Sequence, residues 1–197
     1  MDITRWGCDI MPSGITILAP NGQWGGITIG WSVVGAATHW QANLTNDGDT
    51  SYSKFILYVL YTSNRLYYQD LMDGTNPPPH ENITINKVTV HAVAKYVSGG
   101  FFPRGYIQSI IYGWPGRALN RALTSTYMDL VMQSYTSGLT PITITDVNDI
   151  ETYTKFASFS NIANARTTQQ YIEVEWETNT TVHIKGGHIK GGSIATI

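Results

Sequence analysis

Two aspartates that flank a glycine are the first candidates for chemistry in this chain. Asp47 and Asp49 lie in the segment NDGDT at residues 46–50, whose residue types are those of a tight loop. Because Ca²⁺ takes oxygen ligands in a flexible geometry, two carboxylates and nearby loop carbonyls could hold it. The remaining ligands of an EF-hand are missing, however, and a turn in which the Asp side chains cap backbone N–H groups explains the same residues. The sequence thus predicts a turn, with a calcium site as the alternative.

Four aromatic residues are candidates for a flat sugar-binding platform. They are Trp40, Tyr67, Tyr68 and Trp114. Aromatic rings suit the apolar faces of sugars, and Trp and Tyr also carry a polar tip for hydroxyl groups. The same residue types fill sandwich cores and subunit contacts. We prefer this second interpretation, since the sequence does not place the four rings in one plane.

The other reactive residue types form no catalytic pattern. Of the 5 histidines none has the spacing of metal ligands, and the single cysteine, Cys8, has no marked histidine partner. Glu173 and Glu175 share one face of a predicted strand, which suits a polar outer surface as well as paired-carboxylate chemistry. We therefore expect a protein that is not an enzyme, with no cofactor apart from the calcium considered above.

The composition excludes several classes of partner. Charged residues make up only 13% of the 197 residues and aromatic residues 12%, unlike a disordered chain or a helical bundle. A net charge of −2 gives no electrostatic case for nucleic acid or an anionic membrane. The first residues do not resemble a signal peptide, and the longest apolar stretch, residues 55–61, is too short to cross a bilayer.

Short segments in which apolar and polar residues alternate predict an all-β domain over residues 27–178. In residues 83–96, valine and alanine fall on one face while lysine, threonine and histidine fall on the other, and residues 171–176 alternate in the same way. Residues 55–61, 106–112 and 127–133 are further strand candidates. Such alternation is typical of an antiparallel sandwich, whose sheets each have one buried face. One short helix is predicted at residues 145–151, where a Thr or Asp cap precedes acidic residues.

The two flanking segments differ from this central domain. Residues 1–26 are rich in Gly, Pro and Asn, and the repeat Gly-Ile-Thr-Ile at 14–17 and 26–29 predicts two short strands at a sheet edge. Residues 179–197 contain His-Ile-Lys-Gly-Gly twice, at 183–187 and 188–192. The glycine pairs oppose a helix, so we expect a flexible end or an arm that adds strands to a neighbour. The residues of this predicted assembly arm are His183, Ile184, Lys185, His188, Ile189 and Lys190.

Six motifs follow one another across the central domain. They are THW at 38–40, DGDTSY at 47–52, INKVTVHAVAK at 85–95, LTSTY at 123–127, ITDVNDIE at 144–151 and ARTTQQYIEVE at 165–175. This ordered set resembles a β-sandwich domain that is common in structural proteins of tailed phages and prophages, including head-decoration, minor virion and fibre-like proteins. The resemblance implies an antiparallel jelly-roll, lectin-like β-sandwich with extended N- and C-terminal arms, and it implies no catalytic residues.

The resemblance and the arms together predict a virion structural protein. We expect a capsid-decoration or fibre-like subunit that is made in the host cytoplasm and assembles in many copies through its arms. Its partners would be copies of itself and a major capsid or other virion protein. A surface low in charge fits dense packing, because burying a charge costs more than burying a hydroxyl. The alternatives are a carbohydrate-binding module on a particle surface, with a glycan as partner, and a donor-strand filament subunit.

Overall fold

Two antiparallel β-sheets pack face to face in the part of the chain that the computed structural model describes. That part comprises residues 9–10, 13–23, 31–56, 62–68, 70–79, 82–97, 105–111, 114, 119–138, 140–158, 164–179 and 182–183. The strands are β1 (Asp9–Ile10), β2 (Ser13–Leu18), β3 (Pro20–Gln23), β4 (Trp31–Val34), β5 (Tyr52–Ile56), β6 (Thr62–Tyr68), β7 (Ile83–Val97), β8 (Gly105–Ile111), β9 (Arg121–Ala122), β10 (Met128–Thr136), β11 (Glu151–Ser158), β12 (Asn164–Thr178) and β13 (Val182–His183). The helices are α1 (His39–Ala42) and α2 (Ile144–Asn148), with a 3₁₀ turn at Leu71–Asp73. The predicted all-β sandwich is confirmed.

The larger sheet is organised around its two longest strands, β7 and β12. Its order is β10–β7–β12–β5–β4, and β2 also pairs with β12. Strand β5 pairs with the beginning of β12, and β2 pairs with its end, from Ile172 to Glu177. The smaller sheet has the order β3–β6–β11–β8–β9. Strand β12 thus joins the first segment of the chain to the rest of the larger sheet.

The strands from β5 to β12 pair concentrically. Strand β5 pairs with β12, β6 with β11, β7 with β10 and β8 with β9. A long antiparallel ribbon that is folded over into two sheets has this arrangement. Neighbouring strands are therefore distant in sequence, so most of the sheet depends on long-range pairing.

The core between the sheets is built from the inward-facing side chains, which alternate along each strand with outward-facing ones. Phe55 of the larger sheet contacts Phe156 of the smaller one, with ring centroids 5.0 Å apart. Further fully buried core residues are Leu18, Leu66, Leu71, Val88, Val90, Ile107, Met132, Ile172 and Val174. Burial of apolar side chains at these alternate positions leaves the intervening side chains of β7 and β12 on the outer face of the larger sheet.

Residues 13–23, which lie within the predicted N-terminal arm, pair with strands of both sheets. Strand β2 lies beside β12, and β3 lies beside β6 in the other sheet. Leu18 and Thr16 are fully buried, and the Trp176 indole N–H donates to the Thr16 hydroxyl at 2.9 Å. The repeat at 14–17 is a strand, as predicted, whereas residues 26–29 lie outside the described residues.

The helical content also differs from the prediction of one helix. The sequence suggested Thr145 or Asp146 as the N-cap of helix α2. The N-cap is instead Thr143, two residues before Thr145, and it forms a capping box with Asp146. A second short helix, α1, is capped by the Thr38 side chain. The motif THW at 38–40 therefore contains the start of a helix. Sequence alternation did not predict this helix, since it is only four residues long and lies between strands.

Candidate functional site

An open cleft of about 370 Å³ lies on the outer face of the larger sheet. It is lined by Ile17, Asn46, Val93, Asp129, Gln169, Tyr171 and Glu173. These residues come from β2, β7, β10, β12 and one loop, so the cleft exists only once the sheet has formed. The volume lies within the range of small-molecule sites, about 300–1,000 Å³.

The register of the central strands brings the cleft residues together. Tyr171 lies opposite His91, and Gln169 lies opposite Val93. Asp129 of β10 lies opposite the same Val93 from the other side. Because cross-strand neighbours on one face of a sheet are within contact distance, this register places an aromatic ring, an imidazole, an amide and a carboxylate side by side.

Tyr171 is held in place by two contacts. Its ring stacks on the His91 imidazole, with centroids 4.4 Å apart and planes 12° apart. Its hydroxyl donates to Asp129 Oδ2 at 2.6 Å, and His91 Nδ1 lies 3.2 Å from Asp129 Oδ1. Burial and the Asp129 carboxylate raise the pKa of the Tyr171 phenol above its ordinary value. The phenol therefore remains a proton donor at neutral pH, and the ring is fixed at the floor of the cleft.

A bulge in β12 anchors the loop that carries Asn46. The register of β12 against β7 shifts between Thr167 and Gln169, and such a bulge changes the direction of the local side chains. The Thr168 hydroxyl lies 3.0 Å from the Ser51 carbonyl oxygen and 3.1 Å from Asp47 Oδ1. We call residues 43–51 the 43–51 loop. Its attachment to β12 places Asn46 at the edge of the cleft.

Asp49, near the end of the 43–51 loop, attaches the loop to two strands through ion pairs with Lys95 and Arg166. One oxygen accepts from Lys95 Nζ at 2.6 Å, and the other accepts from Arg166 Nη1 at 2.6 Å and from the Tyr127 hydroxyl at 3.0 Å. Lys95 also lies over the Tyr127 ring and Arg166 over the Tyr52 ring, each 4.4 Å from the centroid. Hydrogen bonds from Lys95 and then Arg166 lower the pKa of Asp49 to about 2.

The two aspartates of the calcium hypothesis are thus both engaged by protein donors. Asp47 accepts from the backbone N–H of Ser51 at 3.0 Å and from its hydroxyl at 2.7 Å, as expected for a side chain that caps a turn. Across the described residues, no group of three or more His, Cys, Asp or Glu side chains is placed to hold a metal ion. The geometry therefore favours the turn interpretation.

The four aromatic residues of the predicted platform do not share one surface. Tyr68 is only 4% exposed, and its hydroxyl accepts from Thr152 Oγ1 at 3.2 Å. Trp114 packs edge-on against Tyr135 with centroids 5.2 Å apart, and both it and Trp40 are partly buried against the core. Tyr67 is half-buried beside Tyr68, and adjacent strand residues face opposite sides of a sheet. Tyr68 therefore cannot contribute to a sugar-binding surface.

A serine–histidine contact lies in the interior rather than at the cleft. His39 Nδ1 is 2.9 Å from Ser53 Oγ, and Asn43 Nδ2 donates to the same Ser53 oxygen at 2.6 Å. Ser53 and Asn43 are fully buried and His39 is 5% exposed. A nucleophile must reach its substrate, so this buried network serves the packing of α1 against β5.

The predicted assembly arm is described only at its start. His183 lies in β13 and pairs with Asp9 of β1. Ile184, Lys185, His188, Ile189 and Lys190 lie outside the described residues.

Comparisons of the chain with known protein families and with curated proteins find no match. Among the described residues, neither helix has the length and apolar character needed to cross a bilayer. A fold alone does not define an activity, so we infer the function from the geometry of the cleft and of the paired terminal strands.

Replacing Asp49 by asparagine is expected to lower the free energy of unfolding by about 1 kcal/mol, because Lys95 and Arg166 lose their counter-ion at a half-exposed site. The lowered pKa of Asp49 means that its contribution is present above pH 4 and is lost as the pH falls towards 2. Urea unfolding at pH 7 and pH 2 checks both statements. Asp70→Asn, at an exposed carboxylate that makes no side-chain cap, is the matched control. Equal losses in the two variants would contradict the role of the cations.

Proposed function

We propose that the chain is a non-enzymatic structural subunit of a phage-like particle and that its copies join through the segments around β1 and β13. The observation that carries this proposal is the pairing of Asp9–Ile10 with Val182–His183. This two-stranded ribbon belongs to neither of the two large sheets. Described residues of the two predicted arms therefore pair with each other.

A ribbon of this size gains stability from a surface that packs on it. Isolated two-stranded ribbons are at best marginally stable in water, and in the described residues β1 and β13 contribute two residues each. A neighbouring copy that packs on the ribbon, or adds a strand to it, would stabilise it. The Ile-containing repeats that begin at His183 provide residues for such an added strand.

The edge of the larger sheet supports the same proposal. In the described residues β4 pairs on one side only, with β5, and its Val34 is 37% exposed. An unpaired edge is a template for a strand from another chain. The motifs at 38–175, which resemble phage structural proteins, indicate the kind of assembly, either capsid decoration or a fibre-like structure with another virion protein as partner.

The proposal is tested by removing the two segments separately. We compare the full chain with one that lacks residues 179–197 and one that lacks residues 1–12, by sedimentation velocity and electron microscopy of the purified proteins. Each truncation should reduce the assembled fraction, while thermal melting followed by circular dichroism shows that the sandwich is retained. If both truncated chains assemble as the full chain does, the proposed role of the ribbon is wrong. Growth of the full chain into an open polymer would favour the filament form of the assembly.

A further inference from the structure

We propose that the cleft on the outer face of the larger sheet binds a neutral saccharide, with the Tyr171 ring as its stacking surface. This inference goes beyond the assembly role, and it uses residues other than the four aromatics that the sequence suggested. It is carried by the fixed aromatic ring, by the amide and carboxylate groups around it, and by the distribution of charge in the cleft.

The orientation of the Tyr171 ring is fixed in the ligand-free chain by two contacts. One face lies on the His91 imidazole at 4.4 Å, and the hydroxyl is bound to Asp129 at 2.6 Å. The ring lines the cleft, so a ligand contacts the part of the ring that His91 leaves uncovered. Because the ring already has one orientation, binding loses little side-chain entropy. Val93 and Ile17 add apolar surface beside it, which suits the C–H face of a sugar.

The polar groups of the cleft suit hydroxyl groups. Asn46 and Gln169 each offer one amide oxygen as acceptor and one amide nitrogen as donor, and Glu173 offers two carboxylate oxygens. A hydroxyl group both donates and accepts, so neighbouring sugar hydroxyls can pair with an amide on one side and a carboxylate on the other. Asn46 is held there by the 43–51 loop, whose Asn43 carbonyl accepts from the Gln170 N–H at 3.0 Å.

The charges around the cleft favour a neutral ligand. The described lining residues include Asp129 and Glu173 but no lysine or arginine, which disfavours phosphate, sulfate and acidic sugars. Neighbouring protein groups also weaken the attraction of the two carboxylates for a cationic ligand. Both oxygens of Asp129 already contact His91 and Tyr171. The charge of Glu173 acts at a distance on Lys87, whose pKa is raised mainly by its hydrogen bond to Glu175 and only to a small extent by Glu173. Hydroxyl groups are therefore the ligand chemistry that remains.

The test begins with a glycan array of neutral saccharides, with sialylated and sulfated glycans on the same array and free amines in a parallel titration. The strongest neutral ligand is then measured by isothermal titration calorimetry. Tyr171→Ala should weaken its binding about tenfold, the effect expected for a lost stacking contact. Tyr171→Phe keeps the ring and should lose less. Asn46→Ala, at an exposed loop position, should also weaken binding without a change in thermal stability. Glu177→Gln, on β12 but away from the cleft, is the control and should bind as the wild-type chain does.

Three results would overturn the inference. They are the absence of binding by any neutral saccharide to the folded chain, a preference for anionic glycans or amines, and an affinity that is unchanged in both folded Tyr171→Ala and Asn46→Ala. A chain that assembles but binds no saccharide contradicts this inference alone, whereas a monomeric chain that binds one contradicts only the proposed assembly.

Discussion

Replacement of Gly35 by alanine is expected to lower the free energy of unfolding by about 2–5 kcal/mol. Gly35 has φ of +74°, which side-chain-bearing residues rarely adopt, and a Cβ at this position would overlap the Thr50 carbonyl oxygen and press on Ser51 Cα. The left-handed backbone alone costs about 1–2 kcal/mol, and forced overpacking typically adds about 1–3 kcal/mol. The atoms in the way belong to the backbone, so relief requires movement of the 43–51 loop.

Gly48→Ala is the matched control for this prediction. Gly48 has a nearly identical φ of +72°, but no atom lies within 4 Å of the position of its Cβ. It should therefore show only the backbone cost, about 1–2 kcal/mol. Urea unfolding of both variants measures the difference. Equal losses would show that the contact between Gly35 and Thr50 does not hold the loop. If Gly35→Ala folds, it should also weaken saccharide binding, because Asn46 moves with the loop.

The second large effect concerns His39 and the dependence of stability on pH. Burial lowers the pKa of His39 from 6.5 to about 4. Between these two values the unfolded chain binds a proton that the folded chain does not. The free energy of unfolding therefore falls as the pH drops from 6.5 to 4, by about 3 kcal/mol in total, and this contribution is constant below pH 4. This window lies above that of Asp49, so the two groups are separable.

The measurement compares the wild-type chain with His39→Gln by urea unfolding from pH 7.5 to pH 3.5. The variant loses packing against Trp31 and the contact with Ser53, so it should be less stable at pH 7.5. Its advantage is that it cannot titrate at this position. The two stability curves should approach each other as the pH falls through 6.5 towards 4. Parallel curves would mean that His39 is accessible to protons in the folded chain, in conflict with its burial.

The alternation along the strands predicted which face of the sheet carries the cleft, but it did not predict which residues meet there. In residues 83–96 and 171–176 the pattern correctly separated the buried residues from His91 and Tyr171 on the outer face. It did not predict that the two lie opposite each other or that Asp129 joins them, because register depends on bulges and on strands far away in the sequence. Asp49 and Arg166, which form an ion pair, are 117 positions apart.

Composition and residue type did not place the first segment or the four candidate aromatic residues. The Gly- and Pro-rich composition of residues 1–26 suggested an arm, yet Thr16 and Leu18 are buried beside a strand near the other end of the chain. The sugar-binding platform was the less favoured interpretation of its four residues, and adjacent strand residues such as Tyr67 and Tyr68 face opposite sides of the sheet. The alternation that located Tyr171 on the outer face would have excluded Tyr68.

The proposed association of this chain with many copies of itself determines the mass of the intact purified protein. Light scattering coupled to size-exclusion chromatography gives this mass over a hundredfold range of concentration. We predict masses that are multiples of the 21.8 kDa of one chain, with the assembled fraction growing as concentration rises, as for any association equilibrium. A mass of 21.8 kDa at every concentration would overturn the proposed association.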